Sequence, residues 1–302
     1  MKWKLKPIFS LVLVLSLMTA CSVDKNHTNG NEDMEKKVNI LDKTDNEPAK
    51  ASTDKSSPID NTIQDVEPNT NALEKTGGEN GYNNEKNYKV ENTSYNEKEV
   101  SINFPSVAGL NDTIKQKKIN EILKQEALVV FNDFYGGKAD GLSLKINYKV
   151  TWQSKNLLSI QYYGHAFDKG AAYPLDLLYT VNLDMNNGSK LVLKDFVNVD
   201  KDFVNKYRNY KVADPDKNQM EAGAFKYILD TYSVDDLIKY FNGADTSFKE
   251  SAFTFSYLKK DALGISIEVP HAAGDHLEIE LKYQDIKDNI KTGNEIWKDL
   301  LH

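Results

Sequence analysis

Cysteine is almost missing from this chain, with Cys21 alone in 302 residues. One thiol excludes an intramolecular disulfide framework and any Cys-cluster zinc site. Glycine (16) and proline (8) are too few for a fibrous or collagen-like chain. A broad basic excess is also lacking, since 38 Lys and Arg face 45 Asp and Glu for a formal net charge of −7. Without a cationic surface a protein cannot displace phosphate counterions, which excludes a general nucleic-acid binder. The apolar run from Ile8 to Met18 is short of the roughly 20 residues of a membrane span. No Gly-x-Ser-x-Gly elbow, phosphate loop or paired zinc-binding His motif occurs, so no cofactor is expected.

What is present divides unevenly. Residues 1–20 carry net +3, residues 21–85 carry −7, and the remainder carries −3. Aromatics are absent between Val23 and Gly81, whereas 29 of the 31 lie in 82–302. The stretch 21–85 is dominated by Asn, Asp, Glu, Lys, Thr and Ser, too poor in apolar groups to offset the entropy of ordering it. It is expected to be a disordered acidic linker, about 45 Å across as a random coil and roughly 200 Å when stretched.

Lys2, Lys4 and Lys6, the apolar run and the small residues Thr19-Ala20 form an export signal over 1–20. Leu17-Met18-Thr19-Ala20-Cys21 resembles a bacterial lipobox, in which the cysteine thiol takes a diacylglycerol after cleavage. The resemblance implies that Cys21 is lipidated. Its partner would be the lipid bilayer, and the mature protein would sit on the extracytoplasmic face of the cell membrane. Each buried methylene contributes about 0.8 kcal/mol, so two acyl chains hold durably.

Beyond residue 86 the pattern is that of a folded protein. Leu142, Leu144, Ile146, Tyr148, Val150 and Trp152 alternate as a strand with one buried face. Gln153 to Asn156 turn the chain, and Leu158, Ile160 and Tyr162 alternate on the return. Further strands are expected over 177–185, 253–257, 263–269 and 277–283. Asp112 caps a helix whose face carries Ile119, Ile122, Leu123, Val130, Phe131 and Phe134, stopped by Gly136-Gly137. Shorter helices are expected at 200–210, 220–231, 233–242 and 294–301. Strands and helices come in blocks, which predicts α+β architecture: antiparallel sheets with packed helices in two subdomains, 86–170 and 171–302.

Glu99 to Pro105, Asn111 and the pair Ile119-Asn120 resemble the opening of a bacterial extracytoplasmic domain, the DUF4163 type. Asn182 to Phe196 and Phe253 to Ile286 resemble its usual partner, the DUF3298 type. The resemblance implies a module like that of RsiV-like anti-sigma factors, where it binds lysozyme outside the cell. The same pair precedes the catalytic domain of PdaC-like peptidoglycan deacetylases. A lipobox leaves no cytoplasmic segment to hold a sigma factor, and no deacetylase domain is expected after residue 302. Two positions depart from the pattern. The Gly-Ala-His stretch before the third strand ends in Tyr173 here, and His271 stands where Tyr is common.

The candidate site residues follow from this. Pro270, His271 and Gly274 form a turn able to hold an aromatic-like side chain rigidly toward a partner, and they are the expected ligand-binding residues. The ligand implied is a lysozyme-like protein or peptidoglycan, bound without catalysis. The alternative is an accessory or metal-dependent enzyme of wall metabolism built on His271, His276 and Glu278, with Asp275 close in sequence. On a strand His276, Glu278 and Glu280 share one face. A passive spacer is the third reading. Asp214, Asp216, Asn218 and Glu221 imitate half a calcium loop, but Gln219 replaces the required glycine and Phe225 the bidentate Glu, so a surface loop is expected.

Overall fold

The structure is a computed structural model that describes residues 88–246 and 253–301. The signal segment, Cys21 and the linker 21–85 lie outside the described residues. No described helix is long and apolar enough to cross a membrane.

The chain adopts the α+β architecture expected from its sequence. A six-stranded sheet has the order β1 (Lys89–Glu97), β2 (Val100–Ala108), β3 (Leu142–Gln153), β4 (Leu157–Asp168), β5 (Leu175–Asp184), β6 (Ser189–Leu191). A three-stranded antiparallel sheet follows, β7 (Phe255–Leu258), β8 (Ala262–Glu268), β9 (His276–Lys282). The larger sheet is mixed rather than wholly antiparallel, because β2 and β3 run parallel. Helix α1 (Thr113–Val129) carries the chain from the end of β2 back to its start, so β3 enters in the same direction. The division suggested at 170/171 falls in the β4–β5 turn, inside the six-stranded sheet.

Alternation in β3, β4 and β5 places Leu144, Ile146, Ile160, Tyr162, Tyr179 and Val181 on one face, buried under α1 through Ile119, Leu123 and Ala127. Tyr162 and Tyr179, opposite each other on neighbouring strands, stack at 4.9 Å. Their hydroxyls donate to the α1 carbonyls of Leu123 (3.1 Å) and Ala127 (2.7 Å). Burial pushes both phenols well above 10, so they stay neutral donors. Asp112 accepts from Lys115 N at 2.9 Å and caps α1 as expected. Asn120 clamps β2 from α1: its Oδ1 accepts from Val107 N (2.7 Å) and its Nδ2 donates to Val107 O (2.9 Å). The Ile119-Asn120 pair thus has a packing role, one residue in the core and the next replacing a missing ladder partner.

The end of this helix departs from the expected face. Over Val130–Phe134 it widens into a π-turn, with Tyr135 N donating to Val130 O. One extra residue in the turn rotates the register, and Phe134 faces water instead of the core. The expected C-terminal helix is a 3₁₀ turn, Glu295–Asp299, which still buries Ile296 and Trp297.

Helices α2 (Leu193–Phe196), α3 (Lys201–Arg208), α4 (Gln219–Thr231) and α5 (Val234–Asn242) pack on the smaller sheet in a second apolar cluster. Between the sheets runs a buried polar seam. Thr180 Oγ1 (2.6 Å) and Asn182 Nδ2 (2.8 Å) donate to the carbonyl of Ser256 on β7, and Leu258 N donates to Ser159 Oγ at 3.0 Å. Side chains of β4 and β5 therefore satisfy the unpaired edge of β7. Asp245 ties the seam together. It accepts from Ser256 N and Oγ (both 2.6 Å) and from Leu193 N (2.8 Å). Burial pushes its carboxyl up to about 6, against the pull of these donors and of Lys190.

Candidate functional site

The turn singled out in the sequence connects β8 to β9. Pro270, at φ −56°, opens a 3₁₀ turn over His271–Ala273, and Ala273 N donates back to Pro270 O at 2.7 Å. Gly274 follows at φ +100° and Asp275 at φ +66°. Glycine takes the first of these left-handed positions freely, whereas Asp must be held in the second. Two bonds hold it. Asp275 Oδ2 accepts from Asp176 N of β5 at 2.8 Å, and its carboxylate bridges His271 Nδ1 at 2.9 and 3.1 Å.

The Asp275 side chain is 4% exposed and that of His271 is 40% exposed. The carboxylate accepts from Nδ1–H, which leaves Nε2 as the outer edge of the ring. One flat face of the imidazole lies on Tyr173, with centroids 3.8 Å apart and planes 6° from parallel. The two positions that depart from the resembled pattern therefore touch: the Tyr found in place of His stacks on the His found in place of Tyr. Asp176 extends the cluster, its Oδ1 lying 2.5 Å from His165 Nδ1 on β4.

Of the expected site residues, Pro270 and His271 are exposed and Gly274 is half-buried on the same turn. A shallow cavity of about 380 Å³ lies beside it, lined by Met220, Gly274, His276 and their neighbours. The residues of the alternative reading are engaged separately. Glu278 Oε2 accepts from Gln161 Nε2 at 2.5 Å, Glu280 accepts from Tyr257 and Lys259, and His276 Nδ1 is buried without a hydrogen-bond partner among the described residues. Among the described residues, no group of three or more His, Cys, Asp or Glu is arranged to hold a metal ion. Lys217 pairs with Asp214 in the loop ahead of α4 that imitates a calcium site.

Sequence reasoning missed the partners of His271. Tyr173, Asp176 and His165 lie about a hundred residues away; β4–β5 pairing sets His165 beside Asp176, and the Asp176 N–Asp275 bond and the Tyr173 stack join this end of the hairpin to the turn. One signal was available in the Gly274-Asp275 dipeptide, since Asp after Gly at a strand start is the residue type that tolerates a left-handed φ.

A scan of protein families and a search of curated proteins give no match to this chain. Among solved structures, a DUF3298 family protein from Bacteroides fragilis is similar at 15% identity and TM-score 0.41, over 72% of this chain and 99% of that one. A DUF3298 family protein from Pseudomonas aeruginosa is similar at 14% identity and TM-score 0.36, over 68% and 93%.

Proposed function

We propose that this protein is a lipid-anchored, extracytoplasmic binding module, without catalysis, for a lysozyme-like protein or a cell-wall glycan. The observation that carries the reading is the way His271 is held. A buried carboxylate fixes one edge of the ring, Tyr173 covers one face, and a proline-opened turn fixes its backbone. An exposed ring immobilised on three sides loses little entropy when a partner covers it, and such preorganised aromatic-like groups make effective contact points. The lipobox-like Cys21 and the polar stretch after it would present this surface outside the membrane.

Calorimetry of the full chain in detergent, against lysozyme and against soluble peptidoglycan fragments, tests the reading. Binding to at least one is expected, with His271→Ala weakening it about tenfold. Heat from neither ligand would contradict it. Cys21→Ser should release the protein from membranes, and retention would contradict the anchor.

The His271–Asp275 pair also supports a second reading, an accessory enzyme of wall metabolism, because a buried carboxylate behind an imidazole orients a general base. Stoichiometric zinc or calcium in the purified protein, lost in His276→Ala, would favour it.

A further inference from the structure

We infer that the face of the six-stranded sheet turned away from α1 is a track for an extended, uncharged glycan chain bearing hydroxyl and acetamido groups. The inference rests on the binding reading above and gives it a ligand class and a surface.

Strand register decides which side chains stand on this face. β2 sets Ser101 beside Lys145 of β3, and β3 sets Asn147 opposite Tyr163 and Ser143 opposite Phe167 of β4. Their sequence neighbours Ile102, Leu144, Ile146 and Tyr162 are the residues buried under α1, so this set points the other way. Among the described residues this face is closed at Ser159, Gln161, Thr180 and Asn182, through the polar seam and the Gln161–Glu278 bond, and at Leu157, which is buried in the cluster of the smaller sheet. Beyond Gln161 the β4 side chains Tyr163, His165 and Phe167 are exposed among the described residues, whereas Leu178, opposite Tyr163 on β5, is buried.

The exposed part carries neutral hydrogen-bonding groups that cross-link between strands, with Lys145 and Lys149 of β3 on the same face. Asn103 Nδ2 donates to Asn147 Oδ1 at 2.8 Å, and Ser101 Oγ donates to Asn96 Oδ1 at 2.9 Å. These bonds fix the amides while leaving further donor and acceptor positions toward solvent. From β1 to β4 the row spans roughly 14 Å at ordinary strand spacing. Tyr163, 45% exposed, and Phe167, 43% exposed, border it on β4, roughly 13 Å apart along the strand. At its far end Asp176 N is bonded to Asp275, which holds His271 against Tyr173. That bond ties this end of the sheet to the turn.

The chemistry selects the occupant. Pyranose rings offer C–H faces that stack on separated aromatic rings, and hydroxyl and acetamido groups that pair with side-chain amides. A protein partner is met by a contiguous, fully desolvated apolar centre, whereas here the rings are separated by polar groups. A polyanion needs a dense cationic surface, and this face offers scattered lysines such as Lys145 beside the His165–Asp176 pair.

The test titrates the full chain in detergent with soluble chitin oligosaccharides and, in a separate arm, with lysozyme. We expect the oligosaccharide to bind, with Tyr163→Ala weakening it about tenfold through loss of one ring contact. Asn147→Ala should weaken it about threefold. Ile114→Ser, an exposed change on α1, should leave binding unaltered, and unchanged melting would show that all three variants fold. Binding of lysozyme but not of the oligosaccharide would overturn the glycan assignment while leaving the module a binder. Oligosaccharide bound equally by Tyr163→Ala and Asn147→Ala would overturn the choice of face. No binding in either arm would remove the binding reading itself.

Discussion

Strand β4 supplies Leu158, Ile160 and Tyr162 to the face of the large sheet under α1, and Ser159, Gln161, Tyr163 and His165 to the other. The first face is closed by apolar packing alone, apart from two tyrosine hydroxyls that reach helix carbonyls. The second is closed at Leu157 and by the hydrogen-bonded Ser159 and Gln161, while Tyr163, His165 and Phe167 are exposed among the described residues. The difference separates where the fold draws its stability from where β4 leaves side chains exposed. Apolar area stabilises without regard to direction, whereas the seam only replaces water bonds that would otherwise be lost.

Substitutions across the two faces would separate these contributions. The largest effect belongs to the closed face. Ile160→Ala, with its fully buried side chain, should cost about 2–5 kcal/mol and lower the melting temperature by several degrees in a denaturation scan. A loss under 1 kcal/mol would mean that α1 is loosely packed on the sheet.

The seam comes next. Asp245→Asn presents an amide to donors on Ser256 and Leu193, and should cost about 1–3 kcal/mol in urea unfolding. Its pH dependence has a definite sign. Because burial raises the folded carboxyl from 3.8 to about 6, its favourable share is complete below pH 3.8 and is lost as pH rises through 6. The gap between wild type and Asp245→Asn should therefore be wider at pH 4 than at pH 8. A narrower gap would show that the donated bonds outweigh desolvation.

Gly264→Ala probes the smaller sheet. Its new Cβ would lie 2.1 Å from the Tyr257 ring, which crosses Gly264 to bond Glu280, so a loss of about 1–3 kcal/mol is expected on thermal melting. The smallest effect should come from the open face. Asn147→Ala should leave stability within about 0.5 kcal/mol, in contrast to its effect on ligand binding.

Much of this contrast was legible in the sequence. Unbroken alternation from Leu142 to Trp152 predicted β3, and Asp112 with its following apolar period predicted α1. The parallel placement of β2 beside β3 was not legible, because the direction of a strand depends on how the intervening helix crosses the sheet. Strand β1 was also unread, since its polar sequence KVENTSYNE lacks the apolar alternation of a half-buried strand. At the candidate site, the turn Pro270 to Gly274 could be found from residue types alone. Its partners Tyr173 and Asp176 could not, because nothing local ties a hairpin of the large sheet to a turn in the small one.

The central claim is that the open face and the His271 turn form one ligand surface. Hydrogen-exchange mass spectrometry on the full chain, with and without soluble peptidoglycan fragments, tests it most directly. The account predicts slowed exchange in peptides covering 163–176 and 268–276, with β7 and α1 unchanged. Protection confined to α1 or α5, with those two segments unaffected, would contradict it.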